Sequence, residues 1–99
     1  EIFVSCAGGF DVREPAVDLA LAAAVLSSYR QAPLPADAFY FGEIGLLGEV
    51  RSVPDAAARL REGAAHGFRR VYLPKSDAAS AAEFPDLKAV PVGDVKELD

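Results

Sequence analysis

The sequence predicts a mixed α/β fold of packed layers. Short β-rich runs and helical segments alternate in the order β-α-β-β-α-β-(α)-β, which is the signature of helices layered on a sheet. Glycine and proline punctuate the boundaries between these runs. Hydrophobic residues make up 52% of 99 positions, enough apolar side chain for one core, so residues 1–99 read as one small domain.

Each element has a local reason. Residues 2–7, within "EIFVSCAGG", are β-rich and end at Gly8 and Gly9, which predicts a buried strand with Cys6 as an inert buried thiol. Pro15 suits the first turn of a helix, where a missing N–H leaves nothing unpaired. Every residue over 19–26 is apolar, so this helix, running to Arg30, should be covered on most of its circumference. "QAPLPAD" is a proline-punctuated loop. Residues 38–53, "AFYFGEIGLLGEVRSV", hold two β-like runs with glycines at 42, 45 and 48. They predict a hairpin with a wide or bulged turn, across which Glu43 and Glu49 could face one another.

Ser52 and Asp55 have the spacing of a capping box for a helix over 54–66, and Gly67 is placed to end it. Ala57, Leu60 and Ala64 form its apolar stripe, with Arg59, Arg61 and Glu62 elsewhere on the surface. "RRVYLP", 69–74, predicts a strand with Val71 and Leu73 on one face. "SDAASAAEF" predicts one or two loose helical turns, "KAVPV" a last strand, and Asp94 a helix start. The chain has no methionine and stops as that last helix begins, which reads as a piece of a longer polypeptide.

Composition narrows the function. Net charge is −5, yet residues 51–75 carry Arg51, Arg59, Arg61, Arg69, Arg70 and Lys75 against only Asp55 and Glu62. Such asymmetry fits a face for an anionic partner, and equally fits solvated arginines on an exposed helix. One cysteine excludes an internal disulfide and fits a reducing cytoplasm. No run reaches the roughly 18 apolar residues of a membrane span, so no membrane partner is expected.

One histidine and one cysteine far apart give no metal-ligand spacing, and His66 suits the C-terminus of its helix. "GEIGLLGE" lacks the lysine and the strand–loop–helix context of a phosphate loop, so its glycines read as turn geometry. The residues alone offer no catalytic set.

The segments "AGGFDVREPAVDLALAAAVLSSYR", "PLPADAFYFGEIGLLGEVRSVP", "ARLREGAAHGFRRVYLPK" and "AVPVGDVKEL" together resemble the Lon-protease-like domain of the RadA/Sms family of bacterial DNA-repair ATPases. The likeness spans nearly the whole chain; the ComM-type magnesium-chelatase family is a more distant relative that usually lacks "EPA-DLA". The resemblance implies a Lon proteolytic-domain-like, ribosomal protein S5 domain 2-like fold that lacks its first strands. Lon peptidases use a serine–lysine dyad, in which the lysine takes the serine proton. Laid on this chain without gaps, the serine falls on Ala16 and the lysine on Arg59. Alanine has no nucleophile, and arginine does not give up its proton. The resemblance therefore implies no enzyme activity in this domain, which would be a pseudoenzyme.

It further implies a parent that is a DNA-dependent ATPase working on recombination intermediates by branch migration, as a ring-shaped hexamer in the bacterial cytoplasm. ATP, Mg and Zn belong to parts of that parent outside these residues, and no cofactor is expected here. The expected partners are copies of itself, DNA and the recombinase RecA. Arg59, Arg61, Arg69, Arg70 and Lys75 are the DNA-binding candidates, with pairing to acidic residues of a neighbouring subunit as the competing use. A peptide- or protein-docking module is the alternative reading, with a residual serine peptidase behind it.

Overall fold

Pro15 opens a helix, as its fixed backbone angle favours. The computed structural model describes residues 14–98; the strand predicted over 2–7, with Cys6, lies outside the described residues. Pro15–Val17 form a 3-10 turn that continues into helix α1, Asp18–Arg30. The helix ends on Gln31 in the left-handed region, φ 55°. There the Gln31 N–H donates to the Ser28 carbonyl (3.2 Å) and the Ala32 N–H to the Ser27 carbonyl (3.1 Å). This pair of bonds satisfies carbonyls that a helix end otherwise leaves open.

Three strands follow: β1 (Ala38–Tyr40), β2 (Glu43–Ile44) and β3 (Val50–Arg51). Helix α2 (Ala56–Ala65) and strand β4 (Arg70–Pro74) come next. A 3-10 segment (Lys75–Glu83), strand β5 (Lys88–Val92) and a 3-10 turn (Val95–Leu98) complete the order. The main sheet runs β1-β4-β5 and is parallel throughout. Parallel neighbours need a crossover between them, and α2 and the Lys75–Glu83 segment supply the two crossovers. The fold class is α/β, as the element order predicts.

Strand β4 is central, and its alternation decides the layers. Val71 and Leu73 point to one face and are fully buried there with Leu60 of α2 and Ala81 of the 3-10 segment. Tyr72 points to the other face, where its ring stacks on Tyr40 of β1 at 4.6 Å and 11°. Ala23, Leu26 and Ser27 of α1 border that tyrosine pair. The sheet thus separates α1 from α2.

Several expectations need correction. The hairpin expected over 38–53 is divided: β1 joins the parallel sheet, and only β2 and β3 pair antiparallel. The division falls at Gly42, whose carbonyl accepts the Leu19 N–H and whose N–H donates to the Ala16 carbonyl, both at 3.0 Å. That backbone is engaged by the start of α1, so it cannot continue a ladder. The register places Glu43 opposite Arg51, so Glu43 and Glu49 do not face one another. Glu49 instead meets Arg51 at 2.7 Å.

No capping box forms. Asp55 precedes α2 in the left-handed region (φ 60°) without a side-chain cap. The Ser52 hydroxyl donates instead to Asp77 Oδ1 at 2.7 Å. A capping oxygen needs an extended residue directly before the helix, and neither residue provides that geometry. The inward stripe of α2 is Ala56, Leu60, Gly63 and Ala64, while Ala57 is exposed. Helix α1 is covered on one side only among the described residues: Leu19 and Ala23 are buried, but Val25 is 60% and Tyr29 86% exposed.

Other expectations hold. Gly67, at φ 87°, ends α2. The Phe68 N–H bonds the Gly63 carbonyl and the Gly67 N–H the Ala64 carbonyl, both at 3.1 Å. The last strand is where "KAVPV" places it, and the loose helical segment is the long 3-10 stretch.

Two substitutions test this packing. A Cβ on Gly63 would lie 2.1 Å from Phe39 Cζ, and the Phe39 ring is held between Phe41 and Phe68 at 6.3 and 5.3 Å. Alanine favours a helix interior by about 1 kcal/mol over glycine, but overpacking costs about 1–3 kcal/mol. Gly63→Ala should therefore lower stability in denaturant titration, and a gain would show that the ring is free to move. Asp77 is buried and accepts from both Ser52 Oγ and the Val53 N–H (3.3 Å). Asp77→Ala strands both donors and should lose about 1–3 kcal/mol by the same measurement.

Candidate functional site

A recess beside one candidate residue, Arg59, lies between the edge of β1 and α2. It is a groove of about 490 Å³, floored by Phe39, Phe41 and Phe68 and rimmed by Asp55, Arg59 and Glu62. The aromatic floor follows from β1 alternation and from the turn that ends α2. Gly63 leaves the space that the Phe39 ring fills.

Arg59 is fastened at this rim. Its Nη2 lies 3.0 Å from Glu14 Oε2, and its Nε donates to the Pro54 carbonyl at 3.1 Å. Ala16, the other residue singled out by the sequence, is buried in the core and does not line the groove. The two positions therefore do not share this groove.

The five basic candidates do not form one patch. Arg59 and Arg61 lie two residues apart on α2, which separates their directions by about 200° around the helix axis. Arg69 and Arg70 stand at the start of β4 and Lys75 follows its end. Five residues of strand span roughly 16 Å. Arg70 Nε is 3.7 Å from Asp37 Oδ1, and Lys75 Nζ is 3.8 Å from Glu97 Oε2. Arg61 and Arg69 are exposed and carry no ion pair among the described residues.

Two places show an electrostatic perturbation among the described residues. Partial burial pushes the Tyr40 hydroxyl up, the neighbouring Tyr72 adds to this, and Arg70 acts against it. The Arg51 guanidinium, hydrogen-bonded to the Glu49 carboxylate, holds that carboxyl below its usual range. Among the described residues, no three His, Cys, Asp or Glu side chains gather to hold a metal ion. No helix there is long and apolar enough to cross a membrane.

Sequence reasoning missed one feature. "GEIGLLGE" reads as turn chemistry, yet its two leucines stand in solvent at the hairpin tip. The signal was present in the pattern: two adjacent large apolar residues between turn glycines cannot both face a core.

Residues 7–77 match the family model described as Subunit ChlI of Mg-chelatase. The DNA repair protein RadA of Pseudomonas aeruginosa is 50% identical over 82 residues, covering 83% of this chain and 18% of that protein. RadA of Escherichia coli is 46% identical over 82 residues, with the same 83% and 18% shares. RadA of Aquifex aeolicus is 41% identical over 97 residues, 98% of this chain and 21% of its own length. The chain spans about a fifth of the length of these curated relatives. Matched over most of its length by both comparisons, the chain belongs to the ChlI family and to the family of the RadA DNA repair proteins.

Proposed function

We propose that this chain is a non-proteolytic, Lon-like scaffold domain of a RadA-type DNA repair protein. The observation that carries the reading is its 41–50% identity to RadA DNA repair proteins over 83–98% of its length. In this reading the fold is Lon proteolytic-domain-like, the domain supports ring assembly, and the parent drives branch migration with ATP.

The geometry supports the loss of peptidase chemistry. The Ala16 methyl group is packed in the core, so nothing at that position reaches a substrate. The Arg59 guanidinium is occupied by a carboxylate and a carbonyl, which orient it as a tether rather than a base. A fixed proton on arginine completes the argument.

For DNA contact, the ion pairs sort the basic candidates. Arg59, Arg70 and Lys75 already face carboxylates, while Arg61 and Arg69 are free among the described residues to meet phosphate oxygens. Arginine suits such contacts through its planar fork, and phosphate contacts carry no base specificity.

The test uses the full-length protein with Arg61→Ala and Arg69→Ala together, titrated on duplex DNA at several salt concentrations. The expected result is weaker, sequence-independent binding, with the log–log salt slope reduced by about 0.9 for each lost phosphate contact. Unchanged affinity and slope, or rings that fall apart before DNA is lost, would reassign these arginines to a subunit interface. The unmodified protein should not cleave an unfolded protein, and cleavage would overturn the scaffold reading.

A further inference from the structure

Leu46 and Leu47 form the tip of the hairpin between β2 and β3, and they are 101% and 91% exposed. The tip is firmly braced. The Gly48 N–H donates to the Gly45 carbonyl (3.0 Å), and the Gly45 N–H to the Glu49 carbonyl (2.8 Å). The Leu47 N–H donates to Glu49 Oε1 (3.1 Å), whose carboxylate also holds Arg51 at 2.7 Å. The Val95 N–H also donates to the Gly48 carbonyl at 2.8 Å. Two leucines on so constrained a backbone lose little freedom when they are covered.

A recess lies beside them. A Cβ on Gly48 would lie 3.3 Å from Val95 Cγ1. Val95, with Leu21, Val25 and Leu26, lines a shallow apolar groove of about 490 Å³ along the outer side of α1. Protrusion and recess are therefore parts of one continuous surface. An apolar surface of this kind marks an interaction site.

The charges around the two parts are opposite. Glu43 and Glu49 flank the tip against a single cation among the described residues, Arg51. The polar edge of the groove is Lys96, which is exposed and has no ion pair among the described residues.

We propose that this surface docks a second copy of the chain, the tip leucines of each copy seated in the α1 groove of the other. Lys96 of each copy then meets the carboxylates that flank the partner tip. Because tip and groove share one side of the molecule, the contact is two-fold and self-complementary. It closes on itself, so it is separate from the head-to-tail contact that a ring requires. It goes beyond the scaffold reading and does not depend on it.

The experiment compares the chain with Leu46→Asp and Leu47→Asp together, by sedimentation over a concentration series. Both side chains stand in solvent, so thermal unfolding at low concentration should be unchanged. Association should weaken by at least about ten-fold, the loss expected when even one buried leucine is removed from a contact. A second arm uses a Cys6→Ser background and mixes copies carrying Leu47→Cys with copies carrying Val25→Cys. On oxidation the mixed pair should cross-link in clear excess over either variant alone. A chain that stays monomeric throughout the series, association indifferent to the aspartates, or no excess of the mixed cross-link would each overturn the proposal. Cleavage of an unfolded protein with pairing intact would instead sink the scaffold reading and leave this one standing.

Discussion

Gly42 is the crossing point on which the rest of the architecture depends. Its N–H and carbonyl are both taken by the start of α1, through Ala16 and Leu19. One residue earlier, the Phe41 N–H still belongs to the sheet and donates to the Tyr72 carbonyl at 3.0 Å. The chain therefore leaves the main sheet and meets a helix within two residues. A side chain is crowded there: a Cβ would come within 3.1 Å of Val50 Cγ1 and 3.3 Å of Pro74 Cγ. The φ of 156° belongs to the same requirement. Asp18 reinforces the crossing by accepting the Ile44 N–H at 3.0 Å. Helix, sheet and hairpin are fixed to one another by these few bonds.

Everything built outward from that crossing is positioned by it. The hairpin is aimed toward the end of β5, where the Val50 N–H meets the Gly93 carbonyl at 2.9 Å and Glu49 bridges to Asp94. That placement brings the leucine tip beside Val95 and the outer side of α1. On the other side of the sheet, Asp77 links the loop before α2 to the 3-10 segment and so ties the two crossovers to each other. A domain of this size has little stability to spare, and such shared ties let a few polar contacts hold several elements at once.

The basic residues illustrate how tertiary structure sorts a charge pattern. In the sequence, Arg59, Arg61, Arg69, Arg70 and Lys75 form one dense segment. In the fold they spread over two sides of α2 and both ends of β4. Three of the five acquire carboxylate neighbours from distant parts of the chain: Glu14, Asp37 and Glu97. These pairs are partly exposed, so each contributes little stability. They do, however, reduce the charge that those three side chains offer to an outside partner.

Local chemistry made much of the fold legible in advance. The helix opening at Pro15, the stop at Gly67 and the alternation of Val71 and Leu73 depend on neighbours within a few residues, so the sequence alone determines them. Family membership was legible for a related reason: phrases such as "FGEIGLLGEVRSVP" and "HGFRRVYLPK" are specific as strings. What the sequence could not carry were the choices among partners. Whether β1 pairs with β2 or with β4 and whether Ser52 caps a helix or bonds Asp77 are decided by residues far away in the chain, and whether Glu49 meets Glu43 or Arg51 is decided by the register of the hairpin. The same holds for the site. Ala16 and Arg59 can be singled out from the sequence, but only the packing buries one and ties the other to Glu14. Hydrogen-bond and charge partners are exchanged at small net gain in water, so the arrangement that satisfies the whole core selects among them.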